Sequence, residues 1–245
     1  MKRTISAKPH LKRDHIKDAA AIFFDFGETL ATLKPSKEEL FIQAAQSIGL
    51  ELDQTAVCRA YQVVDFHNKY SSVTVKDRDA FYRNYNQQLA EALGISSHFA
   101  RLGPALIELF RKEKHWTLFA DTTPTLARLQ TLDKQLAIVA NWDSKLPRLI
   151  DQLGIAQYFS SVVASEIAGV EKPDPAIFRL ALVELSLSAP QQTVLYVGNE
   201  YRADVMGARA AGLTPVLIDR YALYPHADCH RFASLDAWLE AMTQD

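Results

Sequence analysis

Two cysteines in 245 residues, Cys58 and Cys229, are too few and too far apart for a disulfide framework, and fit a reducing cytosol. No run approaches the ~18 to 20 consecutive apolar residues of a membrane helix. A net charge of −2 supplies no overall drive toward nucleic acid or an anionic membrane. The first eighteen residues lack the apolar stretch of a secretory signal; they carry Lys2, Arg3, Lys8, Lys12, Arg13 and Lys17 and read as a solvated basic tail over 1–19. Internal repeats and low-complexity segments are also lacking. The expectation is a cytoplasmic globular protein, monomer or homodimer, with neither nucleic acid nor membrane as partner. The most telling absence is local. The run from Ala19 to Phe24 delivers Asp25 into Phe26-Gly27-Glu28-Thr29-Leu30, with no second aspartate two positions on.

About half of the residues are apolar, enough for a sizeable core. Ala20 to Phe24 reads as a buried strand. Ser36 followed by Glu39 has the capping-box pattern, Leu40, Ala44, Ala45 and Ile48 recur at helical spacing, and Gly49 closes the helix. Helical stretches follow over Thr55–Tyr70, Lys76–Leu93 and His98–Glu113, so residues 36–115 are predicted to be an all-helical insertion. The chain then alternates. Strands are predicted over Gln135–Ala140, Ser161–Ala164, Thr193–Val197 and Thr214–Ile218. Helices are predicted over Pro124–Leu132, Lys145–Leu153, Pro175–Ser186 and Ala203–Ala211. Such alternation makes βαβ units and a doubly wound parallel sheet, with reactive groups gathered at the carboxyl ends of its strands. The α/β core therefore spans 20–35 and 116–245.

Polar residues collect at those ends: Asp25 and Thr29, Asn141 and Asp143, Asn199 and Asp204. Lys172 lies in Val170-Glu171-Lys172-Pro173-Asp174-Pro175, where the prolines fix the loop. A carboxylate, a lysine and small polar groups suit a phosphate and a divalent cation. Each residue also has a plainer use: Asp143 as a helix N-cap, Asp204 as a complement to a helix dipole, Lys172 as a solvated cation. The ordered set is what points to a site.

Four segments carry a family resemblance: Phe24 to Leu30; Ile138-Val139-Ala140-Asn141-Trp142-Asp143; Gly169 to Phe178; and Tyr196-Val197-Gly198-Asn199-Glu200 through Asp204 to Gly212. In order, spacing and flanking residues the chain resembles the haloacid-dehalogenase-like (HAD) superfamily over Ala21 to Arg220, with the helical insertion in the position of that family's cap. The resemblance implies that Asp25 attacks a phosphoryl group to give an aspartyl-phosphate that water then cleaves. It implies that Lys172 holds phosphate oxygens, that Thr29 fixes the loop, and that Ala140 and Asn141 line the phosphate site. Mg2+ would be bound by Asp25, the carbonyl of Gly27 and Asn199, with Asp204 in support.

The departures from that pattern are informative. Gly27 stands where phosphatases of the family carry a second aspartate as general acid and base, a role whose loss removes ~10² to 10⁴ in rate. Good leaving groups, such as acyl or aryl phosphates, suffer least. Ala140 replaces the usual Ser or Thr, leaving neighbouring Asn141 to take over part of its role, and Asn199 replaces a metal-binding aspartate. The leading expectation is a phosphatase of a small phosphorylated metabolite, weak or narrow in activity. The alternatives are a degenerate binding protein and a metal-independent 2-haloacid dehalogenase. The last fits less well, because no arginine appears between Asp25 and Arg59. In the insertion, Tyr61, Phe66, Tyr70, Phe81, Tyr82 and Tyr85 read as helical core rather than pocket, His67 and His115 have no second metal ligand near them, and Arg78 and Arg83 read as a solvated face.

Overall fold

A computed structural model describes residues 16–67, 78–111 and 115–243. Strand β1 (Ala21–Phe24) is Ala-Ile-Phe-Phe with all four side chains buried, as a strand flanked on both faces requires. A two-stranded antiparallel ribbon follows from β2 (Ala31–Lys34) and β3 (His115–Leu118), with Lys34 opposite His115. Between them lie α1 (Lys37–Ser47), α2 (Gln54–His67), α3 (Arg78–Ala92) and α4 (Phe99–Arg111). The capping box at the start of α1 is present in full: Glu39 N donates to Ser36 Oγ (3.0 Å), and Ser36 N donates to Glu39 Oε2 (2.8 Å).

The remaining elements are α5 (Thr122–Thr131), β4 (Gln135–Ala140), α6 (Leu146–Gln152), β5 (Ser161–Ala164), α7 (Ser165–Ala168) and α8 (Pro175–Glu184). After them come β6 (Val194–Gly198), a π-helical turn (Tyr201–Met206) continuing into α9 (Gly207–Ala210), β7 (Thr214–Ile218), β8 (His230–Phe232) and α10 (Leu235–Thr243). The six-stranded sheet has the order β5-β4-β1-β6-β7-β8, and all its pairs are parallel. β1 is central, and the chain winds outward from it in both directions. Its carboxyl end is therefore a switch point of the topology, where such sheets bind ligands.

Alternation along the strands feeds two cores. Ile22, Phe24, Ile138, Val197 and Ile218 pack with Leu126 and Leu129 of α5 and Trp238 of α10. Phe23, Val139 and Tyr196 pack with Ile177, Phe178 and Ala181 of α8. Helices α1–α4 have a separate core built on Phe41, Tyr61, Val64, Leu89, Leu102 and Leu106. Tyr61 meets Phe41 edge-on at 6.0 Å, and Phe81 stacks on Tyr85 at 5.8 Å, so these aromatics pack against neighbouring rings. Tyr70 and most of the basic tail, residues 1–15, lie outside the described residues, as do the side chains of Phe66, His67 and Arg78. Ile16 is already buried in the first core. Among the described residues no helix is long and apolar enough to cross a membrane.

The structure departs from the sequence reading in three places. The β2–β3 ribbon pairs Ala-Thr-Leu-Lys with His-Trp-Thr-Leu, two runs that alternate apolar and polar over only four residues each and find their partner non-locally. α7, β8 and α10 are not among the predicted elements. The helix expected over Ala203–Ala211 is instead a wide π turn that tightens into α9, and Glu200 caps it by accepting from the backbone of Arg202 and Ala203.

Candidate active site

Asp25 directly follows β1, and its backbone N continues the ladder to Val197 O at 2.9 Å. The loop after β5 and α7 brings Lys172 to it, and the π turn brings Asp204 to the same point. Lys172 Nζ donates to Asp25 Oδ1 (2.6 Å), to Asp204 Oδ1 (2.7 Å) and to the hydroxyl of Tyr196 (2.8 Å). An ammonium has three hydrogens, and here all have partners. The Tyr196 hydroxyl donates in turn to Val139 O at 2.8 Å. Asp25, Lys172 and Asp204 are only 8, 4 and 1% exposed, so their charges interact with little screening.

Burial pushes the Asp25 carboxyl up to about 6; Lys172 opposes this shift and Asp204 adds to it. Burial alone would lower Lys172, but Asp204 and Asp25 more than offset it and its pKa is raised. Lys172 therefore remains an ammonium. Next to it, Glu200 is pushed to about 7 by burial and by Asp204. The second oxygen of Asp204 accepts from Glu200 N at 2.8 Å. The Asp204 carboxylate lies flat on Gly198, where a Cβ would stand 2.4 Å from its Cγ, so only glycine fits the end of β6.

Thr29, fully buried, donates to Asp25 Oδ2 at 3.1 Å. Its carbonyl accepts from Arg220 (3.0 Å), whose guanidinium also makes two 2.9 Å bonds to Asp121 and lies over the Phe119 ring. Asn199 faces three oxygens. With its amide nitrogen toward them, the orientation that satisfies the network, it reaches Gly27 O at 3.1 Å, Thr29 Oγ1 at 3.2 Å and Asp25 Oδ2 at 3.3 Å. Asn141 is turned to the Lys172 loop: its Nδ2 donates to Lys172 O (3.0 Å), and Lys172 N donates to its Oδ1 (2.7 Å). Ala140 is a buried methyl and offers no side-chain donor. Asp143 accepts from Lys145 N at 3.0 Å, a local turn ahead of α6.

The place of the second aspartate is filled. A Cβ on Gly27 would stand 3.1 Å from Trp142 Cζ3 and 3.7 Å from Trp116 Cη2. These indoles pack edge-to-face at 4.7 Å, and Trp142 also meets Phe26 edge-on at 5.1 Å. Glu28, one position further on, takes a left-handed φ of 59° and accepts from Thr32 Oγ1 at 3.0 Å, so it is not aimed at the missing position.

The structure thus brings Asp25, Gly27, Thr29, Lys172, Asn199 and Asp204 together, with Asn141 one step behind. Sequence reasoning assigned no role to Tyr196, Trp116, Trp142, Asp121 or Arg220. For Tyr196 a signal existed, since a tyrosine in a strand buried on both faces must find a partner for its hydroxyl. Trp116 comes to Gly27 only through the β2–β3 ribbon.

Comparison with known proteins agrees with this architecture. Residues 19–212 match the profile of the haloacid dehalogenase-like hydrolases. The chain is 27% identical over 206 residues to haloacid dehalogenase-like hydrolase domain-containing protein 3 of Danio rerio, covering 81% of this chain and 84% of that one. It is 30% identical over 211 residues to glyceraldehyde 3-phosphate phosphatase of Methanopyrus kandleri, covering 82% and 84%. The solved HAD-hydrolase YfnB of Bacillus subtilis shares its fold, with a TM-score of 0.60 at 18% identity over 92% of this chain and 99% of that one. With the profile spanning more than half of its length, the chain belongs to the haloacid dehalogenase-like hydrolases.

Proposed function

We propose that this protein hydrolyses a small phosphorylated metabolite through an aspartyl-phosphate on Asp25. The observation that carries the reading is the buried 2.6 Å contact between Asp25 and Lys172 at the carboxyl end of the central strand. A relative named glyceraldehyde 3-phosphate phosphatase supports a small phosphorylated substrate. In the first step Asp25 Oδ2 attacks phosphorus, the bond to the leaving oxygen breaks, and that oxygen departs with the electron pair. In the second, water attacks the same phosphorus, the bond to Asp25 breaks, and the carboxylate and inorganic phosphate are released. Lys172 holds the other carboxylate oxygen and keeps the nucleophile ionised. With Gly27 in place of an acid, leaving groups stable as anions are favoured, and acyl and aryl phosphates meet that requirement.

The Mg2+ that the family resemblance implies would draw on Asp25, the carbonyl of Gly27 and Asn199, supported by Asp204. These residues fit such an ion poorly. Asp25 Oδ1 and both oxygens of Asp204 are engaged by Lys172 and Glu200 N, so the one carboxylate oxygen not held by them is Asp25 Oδ2, which accepts from Thr29. Magnesium is usually held by one or two carboxylates with waters and substrate phosphate, and here Asp25 Oδ2 is the one carboxylate oxygen on offer beside a neutral carbonyl and a neutral amide. We assign α1–α4 as the cap, with residues 36–115 as its extent; the bond from Gln62 Nε2 to Leu223 O (3.1 Å) supports this reading by tying α2 to the loop after β7.

The experiment is hydrolysis of acetyl phosphate and p-nitrophenyl phosphate, beside an Asp25→Asn control. Turnover that vanishes in the control is expected. Silence in both proteins, with circular dichroism intact, overturns the reading in favour of binding without turnover, which the indole packed over Gly27 favours.

A further inference from the structure

Asp25 Oδ2 and Gly27 O converge on the side-chain amide of Asn199, and the amide orientation assigned from the hydrogen-bond network turns its nitrogen to them, at 3.3 and 3.1 Å. Two oxygens converging in a buried site repel each other and must share a cation or a hydrogen-bond donor. An aspartate at position 199 would add a third acceptor and make a cation obligatory. The amide instead supplies hydrogens, and its two N–H groups satisfy the acceptors directly.

The charge count agrees with the geometry. Relative to the family pattern the chain lacks two carboxylates, at Gly27 and at Asn199. Their loss removes two negative charges, as many as a divalent ion would neutralise. Asp25 (−1), Asp204 (−1) and Lys172 (+1) sum to −1. The same sum results from the full family set of four carboxylates, one lysine and one divalent ion (−4 + 1 + 2). The substitutions at 27 and 199 therefore make one coherent change. Lys172, with three engaged hydrogens, is the fixed cation of this inner site.

We propose that Asn199 takes the place of the divalent ion, so that its amide and Lys172 hold Asp25 in a metal-independent site. The inference concerns how the nucleophile is held, and rests on the proposed function only in taking Asp25 as the reacting group. A ligand that binds the native state alone raises the melting temperature as its concentration rises. The test is calorimetric titration and thermal unfolding of the full chain with MgCl2, beside Asn199→Asp.

The natural protein is expected to give no saturable heat and no rise in melting temperature at millimolar MgCl2. Asn199→Asp is expected to melt lower than the natural protein in EDTA and to recover as MgCl2 is added. Saturable Mg2+ binding by the natural protein overturns the proposal, and so does an Asn199→Asp protein indifferent to Mg2+. The natural protein decides the matter even where the variant fails to fold. Hydrolysis of acetyl phosphate, run in EDTA and in MgCl2, separates the two readings. Equal rates support both, Mg2+-dependent turnover overturns the metal-independent site alone, and absence of turnover under both conditions overturns only the proposed reaction.

Discussion

Placing the family's second aspartate back at position 27 should damage this protein before it helps it. The Cβ of Gly27→Asp would stand 3.1 Å from Trp142 Cζ3 and 3.8 Å from Cη2, closer than a relaxed contact, with the carboxylate still to be accommodated beyond it. Trp142 has little room to yield, since it packs edge-on against Phe26 at 5.1 Å and against Trp116 at 4.7 Å. Overpacking of this kind costs about 1 to 3 kcal/mol, and the new charge beside buried Asp25 pushes the cost toward the upper end. For a chain of this size each kcal/mol moves the melting temperature by about 2 to 4 °C. The assay is thermal unfolding of the natural protein, Gly27→Asp, Trp142→Ala and the double variant, analysed as a double-mutant cycle. Removing the indole should relieve the clash, giving a coupling of about 0.5 to 3 kcal/mol in favour of the pair. Activity should follow the same pattern: no gain in Gly27→Asp, but a gain in the double variant, larger on alkyl than on aryl phosphates. A Gly27→Asp protein as stable as the natural one, or equally destabilised in both backgrounds, refutes the reasoning.

Lys172→Met leaves Asp25 and Asp204 buried without their cation and should lower stability by about 3 to 5 kcal/mol in urea titration; a loss below about 1 kcal/mol contradicts the network. Tyr196→Phe removes one partner of Lys172 and leaves Val139 O without its donor, a loss of about 1 to 3 kcal/mol by the same titration. The pH–rate profile of acetyl phosphate hydrolysis should rise on its acid side around pH 6, because Asp25 attacks as the carboxylate and its pKa stands at about 6. Ionisation grows as pH passes upward through that value, so a limb near the ordinary carboxylate value of about 4 contradicts the burial argument.

The order of elements was legible because apolar periodicity is a local property. β4, β5 and β7 lie on the predicted residues, and the capping box of α1 is formed by the two residues that announced it. The misses have a common cause. β2 and β3 alternate apolar and polar over only four residues each and gain their structure by pairing with each other across the helical insertion. The π turn over Tyr201–Met206 carries Asp204 onto Gly198, a tertiary contact that a local helical pattern cannot show.

The site divides in the same way. The sequence by itself determined which side chains carry charge, which family pattern they follow, and that positions 27, 140 and 199 depart from it. Chemical identity needs no coordinates. Only the tertiary structure decided what those departures leave behind. Indoles from two distant segments occupy the space beside Gly27, and Asn141 holds the Lys172 backbone. Lys172 divides its three hydrogens among Asp25, Asp204 and a tyrosine, and Asn199 turns an amide toward the nucleophile's oxygens. Each of these depends on directions and distances between residues far apart in the chain, and the folded sheet alone sets them.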